Sequence, residues 1–228
     1  MSNLRPNDQR ARMAINLIWI SLIMEMISLV SDYFQYNLLQ AADRGDDISD
    51  AALIANDMRQ QIVAIVYLIV FIISAVTFIQ WFRRAYYNLH TKVSYLSHSE
   101  GWAAGSWFVP FVNLYRPYQI MKELYVETGN LLTRSGIAVR NRMDSTLLGS
   151  WWTLWIMVGI TSQFSFRLSM KAETIGELSV STMASMIASL LSVPMALVTI
   201  RLIRNYAENE EQLAELIPEE EAAEQNIA

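Results

Sequence analysis

Cysteine is absent from these 228 residues. That excludes a disulfide framework, thiolate zinc sites, iron–sulfur clusters and cysteine nucleophiles. Histidine is scarce too: His90 and His98 are the only two, and eight residues apart they make weak metal or haem ligands, so no cofactor is expected. With Gly 8 and Pro 5 the chain is neither collagen-like nor a Gly/Pro-rich disordered segment. It also lacks an internal repeat. No GxSxG, Walker A, GxGxxG or HExxH run occurs, and the chain is expected not to be an enzyme. Charge is sparse at 17%, against about 25% in soluble domains. From Asn205 to Ala228 there are eight acidic residues and no basic one. The pI of 5.1 is therefore a property of an acidic tail, 205–228, expected to be solvated. The chain before it is net positive but carries no basic footprint for nucleic acid.

What is present is apolar: 53% of residues are hydrophobic and mean hydropathy is +0.23. About 20 consecutive apolar residues cross a bilayer as a helix. Four stretches qualify, at about 14–38, 61–82, 147–166 and 178–200. Arg5, Arg10 and Arg12 precede the first and give it the look of a signal peptide. Its run is too long and no small-residue cleavage site follows, so it is expected to be a retained span behind a short N-terminus, 1–13.

Orientation follows the basic flanks. Arg5, Arg10 and Arg12 precede the first span. Arg83, Arg84, Lys92, Arg116, Lys122, Arg134, Arg140 and Arg142 occupy the middle connection, and Arg201 and Arg204 follow the last span. Only Arg44, Arg59, Arg167 and Lys171 lie in the other two loops. Both termini and the middle connection are expected to be cytoplasmic. The loop with Asp43, Asp46, Asp47, Asp50 and Asp57 is expected outside, where it lacks the spacing of a calcium loop. All seven tryptophans then fall on the cytoplasmic side, which points to the middle connection as what gathers them.

That connection contains GWAAGSWFVPFVNLYRPYQIMKELY at 101–125. The apolar part is too short to span and Pro110 interrupts it. Pro117 suits the first turn of a new helix, expected to stop at Gly129. Ile120, Met121, Leu124 and Tyr125 form its apolar stripe, with Lys122 and Glu123 opposite. This is the pattern of a helix on a membrane surface or of one packed on the protein's own cytoplasmic face. The element 101–128 is expected to be an interfacial helix–turn–helix. Asn113 and Arg116 flank its turn, where Asn bonds to local backbone and Arg offers donors to carbonyls or lipid phosphates.

These residues carry a resemblance. Trp81, Arg84, Ala85, Asn88 and Leu89, then Gly101, Trp102, Trp107, Phe108, Pro110, Asn113, Leu114, Arg116, Pro117 and Met121, resemble the bacterial membrane family catalogued as domain of unknown function 4328, over about 60–205. The resemblance implies a polytopic inner-membrane protein and brings no catalytic residue with it.

Inside the spans, polar residues are few and ordered. Ser21, Glu25, Ser28, Asp32 and Gln35 recur at helical spacing on one face of the first span. Facing candidates are Tyr67, Ser74 and Thr77 on the second span, and Ser181, Ser185, Ser189 and Ser192 on the fourth, which Pro194 is expected to kink. An intramembrane carboxyl is either hydrogen-bonded glue between helices or a proton or cation site.

The expected architecture is thus an all-α membrane protein, with four transmembrane helices in two hairpins joined by the interfacial element, in a membrane domain of 14–204. The expected role is a membrane scaffold or accessory subunit presenting a Trp-rich cytoplasmic surface to partners, with membrane lipids and a protein partner or second copy as partners. Two alternatives stand beside it: a proton- or cation-coupled transport component built on Glu25, and lipid handling by Arg84, Arg116 and Lys122.

Overall fold

A computed structural model describes residues 4–140 and 145–215. They contain helices α1 (Asp8–Asp43), α2 (Asp50–His90), the single turn α3 (Trp102–Gly105), α4 (Arg116–Arg134), α5 (Ser145–Ser169) and α6 (Ile175–Glu210). Short 3₁₀ turns cover Val112–Leu114 and Glu211–Glu215. No strand occurs among the described residues.

The helix ends follow local chemistry. Gly45, at φ 79, closes α1. There the Asp46 N–H reaches back to the Ala41 carbonyl, the six-residue loop of a Schellman cap, which needs the left-handed residue that glycine supplies. Ser49 caps α2 by accepting from the Ala52 N–H at 3.3 Å. Thr174 and Glu177 make a reciprocal capping box at the start of α6. The helix α4 runs through Gly129, the expected stop, to Arg134. Leu131 and Leu132 beyond that glycine are buried, so packing outweighs the weak helix preference of one Gly. The real stop is Gly136, at φ 72, with the Ile137 N–H on the Leu132 carbonyl.

Among the described residues, three helices are long and apolar enough to cross a membrane: α1, α2, and α6 with its extension to Leu213. In α2, Ile62, Ile65, Leu68, Ile69, Ile72 and Ile73 are all exposed. Together with the exposed Val66 and Phe71 they cover more than half of the helix circumference at 3.6 residues per turn, and so broad an apolar surface belongs in lipid or against other helices. The fourth expected span is the helix α5, 25 residues long. Gly, Ser, Thr, Gln and three tryptophans dilute its apolar run, and it does not reach the hydropathy of the other three.

The chain divides into two compact units. Unit 1 comprises 1–16, 75–152 and 199–228, and unit 2 comprises 17–74 and 153–198. Unit 1 has an aromatic core. Trp107 meets Phe78 and Phe82 edge-on at 5.6 and 6.1 Å, Trp151 lies 6.5 Å from Trp107, and Trp81 meets Tyr206 edge-on at 6.0 Å. Trp81, Phe82, Trp151 and Tyr206 are fully buried or nearly so. Against this core α4 buries Ile120, Met121, Leu124 and Tyr125, and the Tyr125 hydroxyl donates to the Leu202 carbonyl at 2.5 Å. The stripe of α4 therefore faces the protein itself rather than lipid.

The stretch 205–228, read from its composition as a solvated tail, is helical as far as the structure describes it. Tyr206, Asn209, Glu210, Gln212 and Leu213 are buried. Net charge says nothing of which face of a helix is covered, and here one face carries Leu202, Ile203 and Tyr206 into the core.

Candidate functional site

In unit 1 the Glu210 carboxylate is buried, ten residues beyond the apolar run of α6. The Asn7 side-chain N–H donates to both of its oxygens, at 3.2 and 2.9 Å, and Asn88 donates to Oε1 at 2.7 Å. Asn88 also clamps the N-terminal segment. Its Oδ1 accepts from the Arg5 N–H at 3.0 Å and its amide donates to the Arg5 carbonyl at 2.9 Å. One side-chain amide thus joins the N-terminal segment, α2 and the end of α6. Burial pushes the Glu210 carboxyl up to about 7; the amides of Asn7 and Asn88 and the charge of Arg84 pull the other way. The Asn7 Oδ1 is buried with no hydrogen-bond partner.

A second polar cluster ties the 91–100 loop to α4. Tyr86 donates to Glu123 at 2.5 Å, and its oxygen lies 3.1 Å from the His98 carbonyl. Burial and the adjacent Glu123 push the Tyr86 phenol far up, so it stays a donor. Glu123 also accepts from the Ser97 N–H at 3.2 Å. His90 Nε2 bonds to the His98 carbonyl, not to its ring, at 2.9 Å. Among the described residues no group of three or more His, Asp or Glu side chains is arranged for a metal.

Arg116 donates to His98 Nε2 at 3.3 Å and lies over the Trp102 and Tyr115 rings at 5.3 and 5.6 Å. Asn113 holds its turn through its backbone N–H, on the Val109 carbonyl at 3.0 Å. Among the described residues, neither the Asn113 side chain nor Arg116 bonds to a local carbonyl; the lipid-phosphate alternative for Arg116 is untouched by this. Pro110 stands at the break and Pro117 in the first turn of α4. Between them Phe111 takes φ 63 and the Val112 N–H bonds to the Pro110 carbonyl at 2.8 Å. This is a γ-turn in its rare, strained form. It throws Phe111 outward at 82% exposure, beside Phe108 at 74%.

Unit 2 holds the intramembrane polar residues. Tyr67 donates to Glu25 at 2.6 Å. Two turns along the same face of α1, Asp32 accepts from Gln60 at 3.4 Å and faces Ser185. Gln35 donates to Thr182 at 3.1 Å. Arg59 grips Ser31 through both its hydroxyl and its carbonyl, at 3.1 and 3.2 Å, and Asn56 at 2.6 Å. Ser74 and Ser189 are buried, the Ser21 hydroxyl is buried without a partner, and Ser28 is half-buried. The face read from spacing therefore carries a file of contacts to α2 and α6.

Arg84, Arg116 and Lys122 are not brought together. The charged neighbours of Arg84 are Arg10, Arg5 and Glu100, Arg116 is engaged as described, and Lys122 is exposed on α4. Sequence reasoning missed Asn7, Tyr86, Glu123 and Glu210. The signal for Glu210 was the spacing of Thr199, Leu202, Ile203, Tyr206, Glu210 and Leu213, a helical stripe running past the last span.

These features define a class: among the described residues, an all-helical protein with apolar helices of membrane-crossing length and a folded aromatic unit. A family model for the domain of unknown function DUF4328 matches residues 44–208, and the chain belongs to that family. No curated protein and no solved structure matches the chain.

Proposed function

We propose that the chain is a bacterial inner-membrane scaffold or accessory subunit without catalytic activity. In this reading it has four spans in two outward hairpins and cytoplasmic termini. Its interfacial element lies at the cytoplasmic boundary. The path of the chain supports four spans. Residues 145–152 and 199–213 both belong to unit 1, and α6 is apolar enough to cross. A chain that leaves this unit along α5 and returns along α6 crosses twice. Trp107 supports the interfacial depth, because it packs on Phe78 and Phe82, at the end of the apolar run and just before Arg83 and Arg84.

The observation that carries the role is the outward tip of unit 1. The tryptophans are largely engaged within the unit, and Phe108 and Phe111 are its most exposed large apolar side chains, with Leu114 half-exposed beside the strained turn. Apolar side chains presented in this way serve recognition at an interface. A photo-crosslinking residue at Phe111 in intact membranes tests it. Protein adducts of defined mass support the scaffold; adducts to lipid alone overturn it.

A second reading rests on the Tyr67–Glu25 hydrogen bond with Asp32 two turns away. Such a pair of carboxyls in a membrane-crossing helix supports reading the chain as a proton- or cation-coupled component.

A further inference from the structure

Three arginines of unit 1 converge on one face of α2. Gln80, Arg84, Tyr87 and Asn88 recur at helical spacing and share that face. Arg10 donates to the Gln80 carbonyl at 3.4 Å, one turn before Arg84. The Arg5 guanidinium lies over the Tyr87 ring at 3.9 Å, one turn after it, and the Arg5 backbone is clamped by Asn88. The row from Gln80 to Asn88 is about 12 Å long at the rise of an α-helix.

The nearby carboxylates, Glu100 and Glu210, offset the charge of Arg84 only in part. Asp8 is paired with Arg12 at 2.7 Å and Glu100 with Arg83 at 3.1 Å. Glu210 lies buried beneath Asn7 and Asn88. Among the described residues, Arg5, Arg10 and Arg84 have no ion pair. The Arg84 guanidinium is held below its usual range by partial burial and by the like charges of Arg10 and Arg5. Fixed like charges call for an anion, and a planar guanidinium matches the oxygens of a phosphate. The row begins where the apolar run of α2 ends, the depth of lipid headgroups.

We propose that Arg5, Arg10 and Arg84 form a binding site for the phosphate of an anionic phospholipid. The site uses Arg84, but not the Arg116 and Lys122 grouped with it by sequence. Tyr87 holds Arg5 in place by cation–π contact, and the Asn88 clamp fixes the N-terminal segment on α2, so the row is set before lipid arrives.

The inference rests on the membrane reading above, and the test separates the two. The full chain is placed in nanodiscs of phosphatidylcholine, with and without about one-third phosphatidylglycerol, a fraction that supplies a negative surface potential. Failure to enter either disc overturns the membrane reading. In discs, phosphatidylglycerol is expected to raise the thermal midpoint of the parent chain. In Arg84→Gln, and in Arg5→Gln combined with Arg10→Gln, the rise is expected to be lost, and phosphatidylglycerol retained in native mass spectrometry to fall severalfold. The Arg5 substitution keeps its fold because Asn88 holds backbone atoms. Arg12→Gln and Lys122→Gln make the same charge change and are expected to keep the rise. An equal loss in these controls, or no response in the parent chain, overturns the site. The same rise from millimolar inorganic phosphate in phosphatidylcholine discs overturns the lipid as occupant.

Discussion

A carboxyl closed in by two amides, as Glu210 is, has its own pH dependence. Its pKa in the folded chain is about 7, against 4.5 when exposed. The folded state therefore binds the proton more tightly. Stability is greatest below the unfolded value and falls as pH rises through the folded one, by about 3 kcal/mol in all. Glu210→Gln is expected to flatten that slope and to raise the thermal midpoint at pH 8. The Gln carbonyl oxygen in the place of Oε1 keeps the bonds from Asn88 and Asn7, and the substitution removes the buried charge. A pH series of melting curves in detergent decides it, and an unchanged slope in the variant refutes it. Glu25 separates the two functional readings. If it is glue, Glu25→Gln keeps both folding and function, while Glu25→Leu strands the Tyr67 hydroxyl and costs about 1–2 kcal/mol. If it carries protons or cations, Glu25→Gln folds normally and abolishes ion flux. Melting temperature and flux in vesicles distinguish the outcomes.

At the scale of elements, the turn at Phe111 and the aromatic base beneath it make opposite demands. A non-glycine residue at positive φ costs about 1–3 kcal/mol. Phe111→Gly is thus expected to stabilise the chain in detergent by about 1 kcal/mol, while removing the most exposed apolar side chain of the tip. A lower midpoint contradicts the strain. Trp151 in the base is 2% exposed, and Trp151→Ala is expected to cost about 3–5 kcal/mol, read as a fall in midpoint with loss of the near-UV circular dichroism of the packed rings. The γ-turn itself was not legible in the sequence, since a Pro-Phe-Val run also adopts ordinary extended backbone. Pro117 in the first turn of α4 was legible, because its fixed φ and missing N–H suit that place alone.

For the whole molecule the sharpest question is whether α5 crosses. Asp46, Ser135 and Met170 are exposed positions in three different connections. Single cysteines there label cleanly, because the chain has none of its own. With four spans, Asp46→Cys and Met170→Cys react from outside sealed cells and Ser135→Cys does not. With α5 on the cytoplasmic surface, only Asp46→Cys reacts, and the two-hairpin layout falls.

Composition and periodicity alone determined that the chain is helical and apolar, and that the face of α1 with Glu25 meets other helices. These are properties of single helices, set by which residues recur every three or four positions. The family is likewise carried by the run from Trp81 to Met121, a local pattern. Only the tertiary structure decided that α4 turns its stripe onto an aromatic core, that Glu123 accepts from Tyr86, and that Glu210 belongs to a cluster with Asn7 and Asn88. Those pairings join positions as far as 203 residues apart, and no local spacing encodes which distant face meets which. The stripe through Tyr206 and Glu210 marked a buried face, but its partners were set by the closing of unit 1.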